Sequence, residues 1–171
     1  MKIKIPFVII ILVFSLSLSA QNRSSDQKVA GPANLSESNT RTDLIQFAKK
    51  LLGVPYLFAS SNPLKGFDCS GFVNYVYKNF KINLPRGSGS YKNLGTTLQP
   101  EQFKVGDVLI FYGFKDKTRI GHVGIICEAA GMNSRFIHSS SGKAQGVTIS
   151  ELGSAMYKSR FYKCIDVMRP I

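Results

Sequence analysis

Hydrophobic residues fall into three regimes along the chain. Residues 5–14 are uninterruptedly apolar behind Lys2 and Lys4, and the run tails through Leu16 and Leu18 to the small Ser19 and Ala20. A basic start, a short apolar stretch and a small-residue exit predict a secretory signal peptide over residues 1–20. A spanning helix needs about 20 apolar residues, more than this stretch supplies, so no stable membrane insertion is expected after cleavage. No cysteine stands near the cut, which argues against a lipid anchor. Residues 21–39 are polar and Ser-rich, without hydrophobic period. Such a segment cannot bury enough apolar area to offset its ordering entropy, and it reads as a flexible linker.

Periodic structure is expected over residues 40–171. Thr40 or Thr42 is an N-cap candidate ahead of Leu44, Ile45, Ala48, Leu51 and Leu52, whose three-and-four spacing makes one apolar helical face closed by Gly53 and Pro55. A second helix is predicted over 69–80, with Phe72, Val73, Val76, Tyr77 and Phe80 on one stripe and Asp68 at its head. Short β-branched or alternating segments follow at 107–112, 122–127, 135–139, 146–149 and 161–168, separated by turn residues. Helices first and an antiparallel meander afterwards predict an α+β domain, its N-terminal helices packed on a five- or six-stranded antiparallel sheet.

The chain has 171 residues, 44% of them hydrophobic, which suits one compact domain and excludes a collagen-like repeat or a multidomain assembly. Its 22 Lys and Arg against 10 Asp and Glu leave a formal charge of +12. That excess would suit nucleic acid, but the cations are scattered, with no dense basic run, zinc-finger spacing or RNA-binding aromatic signature. For an exported protein a polyanionic cell envelope is the more economical partner, and a generic solvated surface accounts for the same charge.

Three cysteines and two histidines limit the chemistry. Cys69 follows Asp68 and opens a helix, where free N–H groups and the positive end of the dipole favour thiolate and can hold an oxyanion. Cys127 and Cys164 lie in apolar strand-like runs, as buried free cysteines do, although a disulfide between them is an open alternative. If the strands around His122 and residues 135–139 form a hairpin with Cys127 paired to Asn133, His122 faces His138 on one side of the sheet. Alone, that juxtaposition fits a catalytic base with its orienting partner, a structural pair, or half a metal site. No Gly-rich phosphate loop or other cofactor motif is present, and no cofactor or metal is expected.

Six ordered motifs carry a resemblance that narrows these alternatives. They are Gly53-Val54-Pro55-Tyr56, Gly66-Phe67-Asp68-Cys69-Ser70-Gly71-Phe72-Val73, Leu84-Pro85-Arg86, Gly106-Asp107-Val108-Leu109-Ile110-Phe111, Gly121-His122-Val123-Gly124-Ile125 and Phe136-Ile137-His138-Ser139-Ser140. Together they resemble the NlpC family of bacterial cell-wall cysteine peptidases over residues 44–169. The resemblance implies a papain-like α+β fold and hydrolysis of amide bonds in peptidoglycan stem peptides, next to D-glutamate or diaminopimelate. It implies a periplasmic or secreted, envelope-associated enzyme, expected to be monomeric. Cys69 would be the nucleophile, His122 the general base and acid, and His138 the polar third member. Tyr56 matches a family tyrosine near the nucleophile, with oxyanion or packing roles open. Asp68 reads as a helix N-cap first and a substrate-amine contact second, and Ser70 as a substrate contact or simply a helix start. Two positions depart from the pattern: Ala59 and Ser60 replace a glycine pair, and Tyr91 stands where Gln is common, both expected near a cleft wall. Arg86 reads as a structural cation before a carboxylate clamp. The loop 114–119 reads as a solvated turn before a cationic wall contact. The same cysteine and histidines would also serve an amidase or acyltransferase on another substrate, whereas a non-catalytic wall-binding module would have no reason to keep them together.

Overall fold

A computed structural model of the protein describes residues 32–168; the signal segment and the linker as far as residue 31 lie outside the described residues. In chain order the elements are α1 (Pro32–Lys49), β1 (Ser61–Asn62), β2 (Gly66–Phe67), α2 (Cys69–Lys78), a 3-10 turn (Ser88–Asn93), β3 (Thr97–Leu98), β4 (Val108–Tyr112), β5 (Ile120–Glu128), β6 (Arg135–Ser140), β7 (Gly146–Glu151), α3 (Ala155–Lys158) and β8 (Phe161–Ile165). The first helix begins earlier than the pattern predicts. Pro32 suits a first helical turn, where its missing N–H costs nothing. Thr40 and Thr42 are not caps: their hydroxyls donate to the carbonyls of Ser36 and Ser38, one turn back.

Helices and a six-stranded antiparallel sheet make the α+β fold that the pattern predicts. Strands run β3-β8-β4-β5-β6-β7, so β4 to β7 form the expected meander. The last strand departs from it. β8 does not extend the meander beyond β7 but returns to pair with the other side of β4, Leu109 opposite Cys164. Its Cys164 and Ile165 are fully buried, one in each cluster on either side of the sheet, and β3 and β4 pair its two edges.

Alternation in β4 divides the core. Val108 and Ile110 face α1 and α2, joining Leu44, Ala48, Phe72 and Val76, while Leu109 and Phe111 face Phe136, Leu152 and Tyr157. Each such fully buried side chain contributes roughly 1.5–3 kcal/mol relative to exposure. Cys127 belongs to the first cluster and Cys164 to the second, so the sheet separates the two thiols; both are free, and the disulfide considered from sequence does not form.

One buried cation joins the N-terminal helix to the sheet. Arg41, only 5% exposed, donates to Asp107 at 2.8 Å, to Asp166 at 2.6 Å, to Glu37 at 3.0 Å and to the carbonyl of Val105 at 3.0 Å. Asp107 immediately precedes β4 and Asp166 follows β8. Removing one partner of a buried pair leaves the other charge uncompensated. Arg41→Ala is therefore expected to cost about 3–5 kcal/mol in urea unfolding; a loss under about 1 kcal/mol, the surface-pair range, would show that the cluster does not anchor the helix.

Candidate active site

The N-terminus of α2 is built by its own sequence. Asp68 has extended backbone (φ −82°, ψ 175°) and caps the helix, Oδ1 accepting the Gly71 N–H at 2.6 Å. Arg86 grips the same carboxylate with two bonds, Nη1 to Oδ1 at 2.9 Å and Nη2 to Oδ2 at 2.8 Å. Arg86 is thus a carboxylate clamp, but on the protein's own carboxylate. Gly71 is required by space: a Cβ there would fall 2.1 Å from the carbonyl oxygen of Ser60, which accepts the Asp68 N–H. Cys69 follows, 9% exposed, with Sγ 3.9 Å from the carbonyl oxygen of Gly121. Burial, above all, pushes its thiol up, and the Asp68 charge adds to this; N–H groups of Val123 and of the helix start pull the other way. The helix N-terminus alone therefore does not make a resting thiolate here.

The histidines stand on β5 and β6, and their register corrects the one inferred from sequence. Ile125 pairs with Ile137, and a bulge between Ile126 and Glu128 sets Glu128 opposite Arg135. Cys127 does not pair with Asn133. Continued toward the site, this register sets Gly124 opposite His138, so His122 is a diagonal neighbour of His138 rather than its partner. A two-residue shift keeps both side chains on one face. Gly124 gives them room: a Cβ there would lie 2.6 Å from the Phe136 ring and 3.1 Å from His138 Cβ. His122 Nε2 and His138 Nδ1 are 2.9 Å apart, their rings edge to face at 4.8 Å.

His138 is fully buried and stacked on Phe136. Its far nitrogen, Nε2, meets Ser150 Oγ at 3.0 Å and Tyr157 Oη at 3.3 Å. The chain of bonds selects a tautomer. If His122 becomes imidazolium, its Nε2–H must donate to His138 Nδ1, which obliges His138 to carry its proton on Nε2 and give it to Ser150 or Tyr157. Burial is the main cause holding both imidazoles well below the ordinary histidine value, His138 to about 3, with the Arg160 charge adding to both and His138 itself adding to His122. Nε2 of His122 being engaged, its Nδ1 is the nitrogen left for the cleft. Among the described residues no group of three or more His, Cys, Asp or Glu is arranged to hold a metal ion.

Tyr56, Asp68, Cys69, Ser70 and Arg86 line one cleft, and Gly121 stands where it meets a second that His122 lines. Tyr56 is half-buried there, placed by its N–H bond to the Gln145 carbonyl. Ser70 Oγ lies 3.3 Å from Asp68 Oδ1 and 3.4 Å from Arg86 Nη1. All six residues singled out from sequence thus lie along this pair of clefts, His138 behind His122.

Residues 53–166 match the NlpC/P60 family. The chain belongs to that family. It is 40% identical over 118 residues to the gamma-DL-glutamyl hydrolase of Bacillus subtilis, covering 68% of this chain and 27% of that protein. Over 83 residues it is 37% identical to a gamma-D-glutamyl-L-lysine dipeptidyl-peptidase of Bacillus cereus, covering 48% of this chain and 25% of that one. The chain thus spans about a quarter of the length of these relatives. A solved NlpC/P60 family protein from Bacillus cereus superposes with TM-score 0.67 at 29% identity, covering 75% of this chain and 40% of that chain. The papain-like fold expected from the motifs is the fold observed.

Two departures from the NlpC/P60 pattern resolve differently. Ala59 lines the cleft with φ +57°, a left-handed conformation that a glycine adopts without strain. Tyr91 does not face the cleft but lies behind its wall, fully buried, near enough for the Cys69, Arg86 and Asp68 charges to act on its phenol, its hydroxyl donating to the Pro85 carbonyl at 3.1 Å. Ser150, Tyr157 and Arg160 were not found from sequence. The β7 register, Phe136 with Ser150 and His138 with Thr148, brings Ser150 to the histidines' face. Tyr157 sits on the four-residue α3, too short for any period.

The buried histidine gives a signed pH dependence. An unfolded histidine takes a proton near 6.5, whereas His138 in the fold does so near 3, so native stability falls as pH drops through that window. The slope from this residue is at most about 1.4 kcal/mol per pH unit. Urea midpoints measured from pH 7 to 5 should fall more steeply for the native chain than for His138→Gln. Parallel curves would contradict burial of a neutral imidazole.

Proposed function

We propose that this chain is an exported cysteine peptidase that hydrolyses amide bonds of peptidoglycan stem peptides, next to D-glutamate or diaminopimelate. Cys69 is the nucleophile, His122 the base and then the acid, and His138 the group that orients His122. One observation carries this reading: the 2.9 Å bond between the two imidazoles, on a strand whose backbone lies against the Cys69 sulfur. A thiol and an imidazole each pushed toward its neutral form suit proton transfer at the moment of attack.

His122 takes the Cys69 proton as sulfur attacks the scissile carbonyl, and the oxyanion forms at the N–H groups of the α2 terminus, with Tyr56 alongside. The new imidazolium donates through Nε2 to His138, whose own proton is held by Ser150 or Tyr157. His122 then gives its proton to the leaving amine, and a thioester remains on Cys69. Water deprotonated by His122 attacks that thioester and releases the acid. The signal-like start and the basic balance of the chain support action at the polyanionic envelope. Likeness to a protein named gamma-DL-glutamyl hydrolase favours a second reading, a γ-glutamyl amide outside the wall, by the same chemistry.

Incubation with purified peptidoglycan fragments and with γ-glutamyl oligomers, products identified by mass spectrometry, separates the two readings. The wall reading predicts new stem-peptide amines, with Cys69→Ala reducing their release by at least about 10³-fold. Cleavage by both proteins, or by neither, overturns the catalytic assignment; cleavage of the oligomers alone overturns the wall substrate.

A further inference from the structure

Beside His122 the second cleft, about 550 Å³, is lined by Lys115, Ser140, Met156, Tyr157 and Arg160, and no acidic side chain lines it. Arg160 is its unusual member. The residue is only 8% exposed, yet no carboxylate among the described residues pairs with it. Its Nε donates to the Tyr112 carbonyl at 3.0 Å, and the guanidinium lies 5.6 Å from the centre of the exposed Phe114 ring. The other guanidinium nitrogens have no partner among the described residues, whereas Arg41, the other arginine buried among them, meets three carboxylates. The unpartnered nitrogens reach the cleft rather than being sealed from it, and a planar fork with free N–H groups matches a carboxylate in two-bond geometry.

Resting on the peptidase reading, we propose that Arg160 binds a carboxylate of the leaving residue, making this cleft selective for amides whose departing amine belongs to an amino acid with a free acid group. The side of the cleft follows from the chemistry. His122 hands its proton to the leaving amine, so the space that His122 shares with Arg160, away from the Cys69 cleft, receives the leaving group. Docking also acts on the reaction. The Arg160 charge helps to hold both imidazoles low, and a bound carboxylate neutralises that push as His122 takes up the thiol proton. Lys115 at the exposed rim adds a second positive charge of the same sense.

The test uses L-Ala-γ-D-Glu-meso-diaminopimelate and its two mono-amides, one at each diaminopimelate carboxyl, with kcat/KM measured for the full chain. One of the amidations is expected to lower the native value about 10- to 100-fold, the range for a charge-assisted bond. Arg160→Gln should cut the free-acid rate to the level of that amide, erasing the discrimination to within about 2-fold, and Arg160→Lys, which keeps the charge without the fork, should retain part of it. The native comparison needs no variant, so a poorly folding Arg160→Gln leaves the proposal testable. Equal rates on all three substrates, or undiminished discrimination in Arg160→Gln, overturn the role of Arg160 and leave the peptidase reading standing. No cleavage of any of them by the native chain overturns the peptidase reading itself and this inference with it.

Discussion

The first turn of α2 has little freedom, and the site is built outward from it. Asp68 satisfies a helix N–H, Arg86 holds the Asp68 carboxylate from outside, and Gly71 allows the Ser60 carbonyl to press against the turn. Cys69 is the next residue along, so its sulfur is delivered to the backbone of residues 121–123 by constraints that do not involve the sulfur. The Asp-Cys-Ser-Gly run is therefore as much a packing requirement as a chemical one. Loss of Gly71 or Asp68 would displace Cys69, the proposed nucleophile, without altering any group proposed to react.

Burial then decides the electrical character of the site. The thiol of Cys69 is pushed up and the imidazoles of His122 and His138 are pushed down, each chiefly by loss of water. Charge is held only where a partner is fixed, as at Asp68 with Arg86 and at Arg41 with its three carboxylates. The exceptions among the described residues are two buried cations that lack a carboxylate, Lys163, which meets the Gly95 carbonyl at 3.4 Å, and Arg160, and of these Arg160 lines the cleft beside His122. A neutral thiol and neutral imidazoles beside the unpaired Arg160 and Lys115 suit the proposed anionic substrate, with proton transfer following occupancy rather than preceding it.

Legibility of this structure in the sequence tracked how local each cause is. The stripe Phe72, Val73, Val76, Tyr77 and the cap Asp68 are contained in one helix, and α2 was readable almost to its ends. Strands β4 to β7 were readable because their apolar runs are bounded by turn residues. The hairpin register is two residues off because the turn closes on Glu128 and Arg135, three residues from the expected pairing, and the bulge between Ile126 and Glu128 takes one back; neither is encoded by a period. That error left the histidines on the correct face, since side chains repeat every two residues. The start of α1 was missed because Ser, Asn and Thr between residues 36 and 42 suggest linker composition, while the anchor of that helix, Arg41 to Asp107 and Asp166, spans the chain. Ser150, Tyr157 and Arg160 reach the site by strand pairing and a one-turn helix, and single residues brought in by topology leave no motif.

In the proposed reaction Cys69 attacks a γ-glutamyl or diaminopimelyl carbonyl with His122 as its base. A γ-D-glutamyl peptide carrying a chloromethyl ketone at the scissile carbonyl tests it most directly, with the labelled residue located by peptide mass spectrometry. One adduct is expected, on Cys69, forming far more slowly in His122→Ala and absent from Cys127 and Cys164. An adduct elsewhere, or an unchanged labelling rate without His122, would contradict it.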